Sequence, residues 1–268
     1  MLSLKRLLRS RSWDYTLNYN RPGPVRTFRW QGHTVHYRPG TSDANLIYDV
    51  LLRPSRHESP QSLIRTRSRM EYWVPPQVAP QVILDIGGNV GLTTVYYSHL
   101  FPDARIHVFE PVPENFEMLK LNTEPLANVT TYPVALGKED TTASINACRE
   151  EGNEGGYTLY GLDSDPDQTR TIEVRNVATL MREIGLTRVD LLKIDTEGAE
   201  FDILTTMDPA ILENVRWIVG ELHSHRDFEL LHYLSQWFDI DIHKSLRFRL
   251  CQFNARNSAL ANEIPWTA

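Results

Sequence analysis

Four stretches of the chain set ionisable side chains or glycines directly behind short apolar runs. The first is Val82-Ile-Leu-Asp-Ile-Gly-Gly-Asn-Val-Gly91, an apolar strand running into a glycine-rich turn and then a helical segment from Leu92. Glycines at such a turn let the backbone bend tightly and come close to a ligand at the helix N-terminus. Gly87, Gly88 and Gly91 do not reproduce the G-x-G-x-x-G spacing of dinucleotide sites. A carboxylate at Asp85 would repel a pyrophosphate but could orient the amino-acid part of S-adenosylmethionine. The charge therefore favours the methyl donor over NAD.

Glu110 stands nineteen residues after Gly91, at the end of the run Arg105–Phe109. An acid at the carboxyl edge of the adjacent strand can accept hydrogen bonds from both ribose hydroxyls of a nucleoside. The third stretch, Leu191-Leu-Lys-Ile-Asp-Thr-Glu-Gly-Ala-Glu200, brings Asp195 and Glu197 to the same edge. Glu200 is read as a first-turn helix residue whose charge suits the helix dipole. The fourth, Trp217-Ile-Val-Gly-Glu-Leu-His223, adds Glu221 and His223, with His225 just beyond. Residues two apart on a strand share a face, so Glu221 and His223 can serve one centre.

Methyl transfer from a sulfonium is an in-line displacement, and a hydroxyl acceptor must lose its proton to a base or bind a metal that lowers its pKa. Asp195, Glu197, Glu221, His223 and His225 are the candidates. A neutral imidazole is the better base near pH 7, so His223 or Glu221 is expected to take the proton while Asp195 positions the acceptor. Mg²⁺ could sit between Asp195 and Glu221, although nothing in the sequence requires it.

These residues need a scaffold that gathers strand ends. Apolar runs at Val82–Ile86, Arg105–Phe109, Val129–Ala135, Val189–Ile194 and Trp217–Leu222 alternate with helix-length segments. That alternation predicts a doubly wound α/β fold with a mostly parallel sheet. A helix over Phe228–Trp237 and strands at Phe238–His243 and Phe248–Phe253 follow, the last two an antiparallel pair joined by a turn containing Lys244 and Ser245. The segment Gly152–Tyr157 reads as a loop above the strand ends.

Residues 1–78 are expected to form an extension ahead of a cofactor-binding domain over 79–268. Leu2, Leu4, Leu7 and Leu8 beside Lys5, Arg6, Arg9 and Arg11 predict a short basic amphipathic helix. A hairpin turning at Gln31-Gly32 comes next, then a helix capped by Ser42 or Asp43 with apolar Leu46, Ile47, Val50 and Leu51. Residues 55–70 read as an Arg- and Ser-rich linker, closed by Pro75, Pro76 and Pro80.

The formal charge of −6 conceals an asymmetry: residues 1–70 hold thirteen cations against four carboxylates, a net of +9, and the remainder carries −15. The basic segment could dock on the acidic body of its own chain, on a partner subunit of a homo-oligomer, or peripherally on an anionic membrane surface. No specific nucleic-acid recognition is expected. Cys148 and Cys251 are too far apart in sequence for a disulfide framework or close-paired zinc site, which favours a reduced, cytoplasmic setting. No apolar run approaches the roughly 18 residues of a membrane span.

Taken together, Leu84-Asp-Ile-Gly-Gly-Asn-Val-Gly91, Val108-Phe-Glu-Pro-Val-Pro-Glu-Asn-Phe116, Val134-Ala-Leu-Gly137, Asp190–Glu200 and Val219-Gly-Glu-Leu-His223 resemble the FkbM family of methyltransferases, over about residues 80–255. The resemblance implies a Rossmann-like methyltransferase sheet, S-adenosylmethionine as donor and a hydroxyl on a small-molecule, sugar or lipid-like acceptor. The implied cofactor contacts are Asp85, Gly87, Gly88, Asn89, Gly91, Glu110, Pro111, Ala135 and Asp195; the catalytic set is Asp195, Glu197, Glu221 and His223. Gly88 departs from the alanine common in the family, a change expected to leave cofactor binding intact. Two other functions stay open: a catalytically silent nucleoside-binding module that docks through the basic extension, and an NAD-dependent oxidoreductase.

Overall fold

The computed structural model describes residues 2–52, 72–148, 157–158, 164–245 and 250–266. Strands β3 (Val82–Ile86), β4 (Arg105–Phe109), β5 (Val129–Tyr132), β10 (Leu191–Ile194) and β11 (Trp217–Glu221) are parallel, and β12 (Phe238–Ser245) and β13 (Leu250–Asn257) close the sheet antiparallel. The order is β12-β13-β11-β10-β3-β4-β5. From β3 the chain winds outward through β4 and β5, then crosses back to β10 and β11. The order reverses between β3 and β10, which opens a crevice at their carboxyl ends.

Both faces of the sheet are covered, and alternation decides which residue faces which core. Ile83, Ile106, Leu191, Trp217 and Val219 join one buried cluster; Leu84, Ile86, Leu192, Ile194 and Ile218 join the other. Against the second face lie α6 (Val177–Glu183), α7 (Glu200–Thr206), α8 (Pro209–Leu212) and α9 (Asp227–Leu234) through Leu180, Ile203, Leu212 and Leu230. The first face is covered by α4 (Leu92–Leu100) and α5 (Pro113–Thr123), with the amino-terminal extension joined to the same cluster.

The extension comprises α1 (Leu2–Ser10), α2 (Trp13–Asn18), the hairpin β1 (Arg26–Trp30) and β2 (His33–Tyr37), and α3 (Ser42–Leu46), which continues as a π-helical turn over Ile47–Leu52. Gln31 and Gly32 both take positive φ, as a two-residue hairpin turn of this kind requires. Thr41, rather than Ser42 or Asp43, caps α3 by accepting from Asp43 N. Asp43 is instead fully buried and grips the Arg38 guanidinium through both carboxylate oxygens. Tyr15, Phe28, Tyr37, Ala44 and Ile47 belong to the cluster that contains Ile83 and Trp217. The extension is thus continuous with the core of the sheet domain. Residues 55–70 lie outside the described residues.

Three expectations change. The run Val129–Ala135 is not one strand: β5 ends at Tyr132, and after Pro133, which has no N–H for a ladder, β6 (Ala135–Gly137) pairs with a different sheet. That second sheet, β6-β9-β7-β8, is built from β7 (Thr141–Cys148), β8 (Tyr157–Thr158) and β9 (Ser164–Asn176). Its Thr-rich, weakly apolar strands carry little hydrophobic signal. Of the loop expected at Gly152–Tyr157, only Tyr157 is described, and it lies in β8. The closing pair is longer than expected: Lys244 and Ser245 belong to β12, and β13 runs on to Asn257.

Candidate active site

Gly87 begins the turn after β3 with a φ of +80°, and a Cβ there would stand 1.8 Å from the Asp195 carbonyl oxygen. Only glycine allows the two strand ends to meet so closely. Gly88 answers a different constraint. A Cβ at that position would lie 2.3 Å from Val108 and 2.8 Å from Leu119, so this glycine seats the turn on β4 and α5. Gly91 starts α4 as its N-cap.

A cavity of about 280 Å³ opens beside this turn. Gly87, Asn89, Glu110, Pro111, Ala135, Asp195 and Glu197 line it together with Thr196. The second sheet supplies its apolar wall through Leu136, Ala143, Ile145, Ile172 and Val174, beside Val112. None of the β7 and β9 wall residues was anticipated. The usable signal was Ile145, Ile172 and Val174 standing among polar residues at alternating positions.

Glu110 is buried, and its two carboxylate oxygens accept separately from Asn89 N at 2.8 Å and Val112 N at 2.9 Å. An ionised carboxylate offers about four lone-pair sites, so each oxygen keeps capacity for a further donor. Burial pushes this carboxyl up to about 7, against the opposing pull of those two N–H groups.

Asp85 is not a cavity residue, contrary to expectation. It is fully buried, accepts from the Thr94 hydroxyl at 2.7 Å and lies 3.4 Å from Lys193 Nζ. The parallel register sets Lys193 opposite Asp85, and the ammonium also donates to the Gly87 carbonyl. Burial alone would lower the Lys193 pKa, but Asp85 and Asp195 outweigh it and raise it. Asp85 therefore shapes the turn through Lys193.

At the ends of β10 and β11 five side chains converge. His223 Nδ1 donates to Glu200 Oε1 at 3.1 Å, while Nε2 stands 3.4 Å from Glu221, 3.8 Å from Asp195 and 3.8 Å from Glu197. Glu200 is not a surface decoration of α7: it is fully buried, and the same oxygen accepts from Thr196 N and Gly198 N. It thereby holds both the loop after β10 and the imidazole. Glu197 takes a left-handed φ of +57°, unusual for a residue with a Cβ.

Two further groups were missed from sequence. The Tyr72 hydroxyl lies 2.7 Å from Asp195 Oδ2 and 3.1 Å from Glu221 Oε1, with its ring over Lys193 Nζ. Gln252 Nε2 donates to Glu221 Oε1. Tyr72 follows the Arg-rich stretch with no motif around it, so no pattern marked it.

One imidazole among four carboxylates has a defined electrostatic outcome. Burial pulls the His223 pKa down, but its bonds to Glu200 and Glu221 and the charges of Asp195 and Glu197 push it up to about 12. The neutral imidazole base expected from the sequence is absent, because its carboxylate neighbours stabilise the cation. Burial and the Asp195 charge push Glu197 up to about 7 and also raise Glu221. Ligand atoms of Asp195, Glu197 and His223 all lie within 4.8 Å of one another, so these three could hold a divalent cation. Glu221, the partner expected for Asp195 in such a role, is engaged by Tyr72 and Gln252.

Among the described residues no helix is long and apolar enough to cross a membrane. Residues 85–252 match the model of the methyltransferase FkbM domain. Methyltransferase 1 of Beauveria bassiana is 30% identical over 56% of this chain and 68% of its own length. The 31-O-demethyl-FK506 methyltransferase FkbM of Streptomyces tacrolimicus is 28% identical over 53% of this chain and 65% of its own. A solved FkbM methyltransferase of Methylobacillus flagellatus is 17% identical, with a TM-score of 0.46, over 68% of this chain and 48% of the other. The aligned regions thus span roughly half to two thirds of these relatives.

Proposed function

As the chain belongs to the FkbM methyltransferase domain family, we propose that it is an S-adenosylmethionine-dependent O-methyltransferase whose donor lies along the crevice from Glu110 to Asp195. The observation that carries this reading is the charge arrangement of the cavity. Glu110, clamped by two backbone N–H groups, keeps lone pairs for a pair of ribose hydroxyls. At the other end, Asp195 and Glu197 line the cavity, and the carboxylates around His223 outnumber its one positive charge. Such an edge suits a sulfonium and opposes a pyrophosphate, which argues against NAD.

When bound, the donor supplies the methyl carbon for in-line displacement. The chain's own part is to exclude water with the apolar wall of Leu136, Ile145, Ile172 and Val174, and to hold the acceptor oxygen in line. Glu197 Oε is the group placed to take the acceptor proton: it lines the cavity and its pKa of about 7 matches the working range of a general base. The His223 cation, oriented by Glu200, restrains the carboxylates around it.

The hydroxyl acceptor is supported by the name of the Streptomyces relative, a 31-O-demethyl-FK506 methyltransferase. A divalent cation at Asp195, Glu197 and His223 is a second reading, favoured by the carboxylate behind His223 Nδ1, an arrangement common behind metal-bound histidines. The imidazole in that set suits a transition metal better than Mg²⁺. Calorimetry with S-adenosylhomocysteine and with NAD tests the donor reading: tighter binding of NAD would end it. Turnover of labelled donor on hydroxyl acceptors, with and without chelator, tests the chemistry. Labelled donor that turns over on amine or carbon acceptors alone would remove the O-methyl assignment, and no turnover on any acceptor would favour a silent binding module.

A further inference from the structure

The first helix is built the wrong way round for a helix that meets only water. Leu4 and Leu8, one turn apart on α1, are 61% and 69% exposed, whereas Arg6 is 8% exposed. The Arg6 guanidinium carbon sits 3.2 Å from the centre of the Tyr19 ring and within 6.0 Å of that of Tyr15. Cation–π attraction of this kind fixes the rotation of α1, with the arginine inward and the leucines outward.

The second helix repeats the pattern. Trp13 and Leu17, again one turn apart, are 67% and 57% exposed, while Tyr15 between them is fully buried and donates its hydroxyl to the Ala44 carbonyl. Four large apolar side chains therefore project from two consecutive short helices. Arg9, Arg11 and Arg21 are exposed in the same segment, and residues 2–30 carry seven cations against the single carboxylate of Asp14.

We propose that α1 and α2 form a docking face for an anionic lipid surface, Leu4, Leu8, Trp13 and Leu17 entering the headgroup–acyl boundary and the arginines meeting the lipid phosphates. Two observations select lipid over a protein partner. The apolar groups are separate projections on short helices, which a fluid interface can take in one by one, and a tryptophan among arginines is the composition of interfacial anchors. The net positive charge of the segment complements an anionic leaflet. This inference is independent of the methyl-transfer reading.

The test is co-sedimentation of the full-length protein with vesicles of phosphatidylcholine alone or mixed with phosphatidylglycerol. The bound fraction should be about tenfold higher on the mixed vesicles, and should fall with salt as each exposed arginine is screened. A Leu8→Asp, Trp13→Ser variant, both positions being on the surface, should keep the wild-type melting temperature and lose about tenfold in binding. Equal binding to both vesicle types, no binding to either, or wild-type binding by the variant would overturn the proposal. So would a concentration-dependent dimer, seen by light scattering without vesicles, that the same variant dissociates, since the occupant would then be a second copy of the chain.

Discussion

The Tyr72 hydroxyl donates to Asp195 Oδ2 across 2.7 Å, although 123 residues separate the two in the chain. The same oxygen lies 3.1 Å from Glu221 Oε1, so one phenol from the amino-terminal extension ties together the ends of β10 and β11. Tyr72→Phe removes one hydrogen bond to a charged group and keeps the ring over Lys193. Turnover should fall about tenfold, the equivalent of ~1.5 kcal/mol, with S-adenosylhomocysteine affinity close to wild type. Unchanged turnover would make the tyrosine a packing residue only.

Glu110→Ala should weaken S-adenosylhomocysteine by about 1–3 kcal/mol, the usual range for charge-assisted hydrogen bonds. In the wild type, affinity should rise with pH through about 7, because the ribose hydroxyls need the ionised carboxylate. The stability effect has the opposite sign: a carboxyl raised from 4.5 to about 7 stabilises the fold fully below its unfolded value and loses that contribution as pH rises through 7. Calorimetry from pH 5.5 to 8.5 should give a rising affinity for the wild type and a flat one for Glu110→Ala, with pH values chosen to span about 1.5 units either side of 7.

His223→Ala takes the imidazole from among Asp195, Glu197, Glu200 and Glu221. Its raised pKa means that its stabilising charge is fully present below about 6.5 and is lost progressively as pH rises from there towards 12. The variant should therefore lose about 3 kcal/mol at pH 5, where the imidazolium contributes in full, and less at pH 8. Denaturant titrations at the two pH values decide this; an equal loss at both would show that the cluster is not held by charge.

Removal of residues 1–25 would take away Tyr15, which is fully buried among Phe28, Tyr37 and Ala44. Tyr15→Ala should destabilise the chain by about 3–5 kcal/mol, as for other large core aromatics. Deleting residues 1–11 should leave S-adenosylhomocysteine affinity unchanged. A folded 1–11 deletion with weakened affinity would tie α1 to the cofactor cavity.

What the amino-acid order determined by itself was the part carried by local pattern. Continuous apolar runs such as Val82–Ile86 specify strands buried on both faces, and the alternation with helices specifies the parallel order. Glycines followed by acids at strand ends then mark the ligand edge, which is why Glu110, Asp195, Glu197, Glu221 and His223 could be named. Tertiary structure decided what each of those groups does, because function here depends on neighbours remote in the chain. Asp85 became a partner of Lys193 through the register of β3 and β10. Glu200 moved from a helix surface to the support of His223, and Tyr72 reached Asp195 from the extension. The protonation of His223 belongs to the folded state alone: four carboxylates within 4 Å set it, and no single stretch of sequence contains them all.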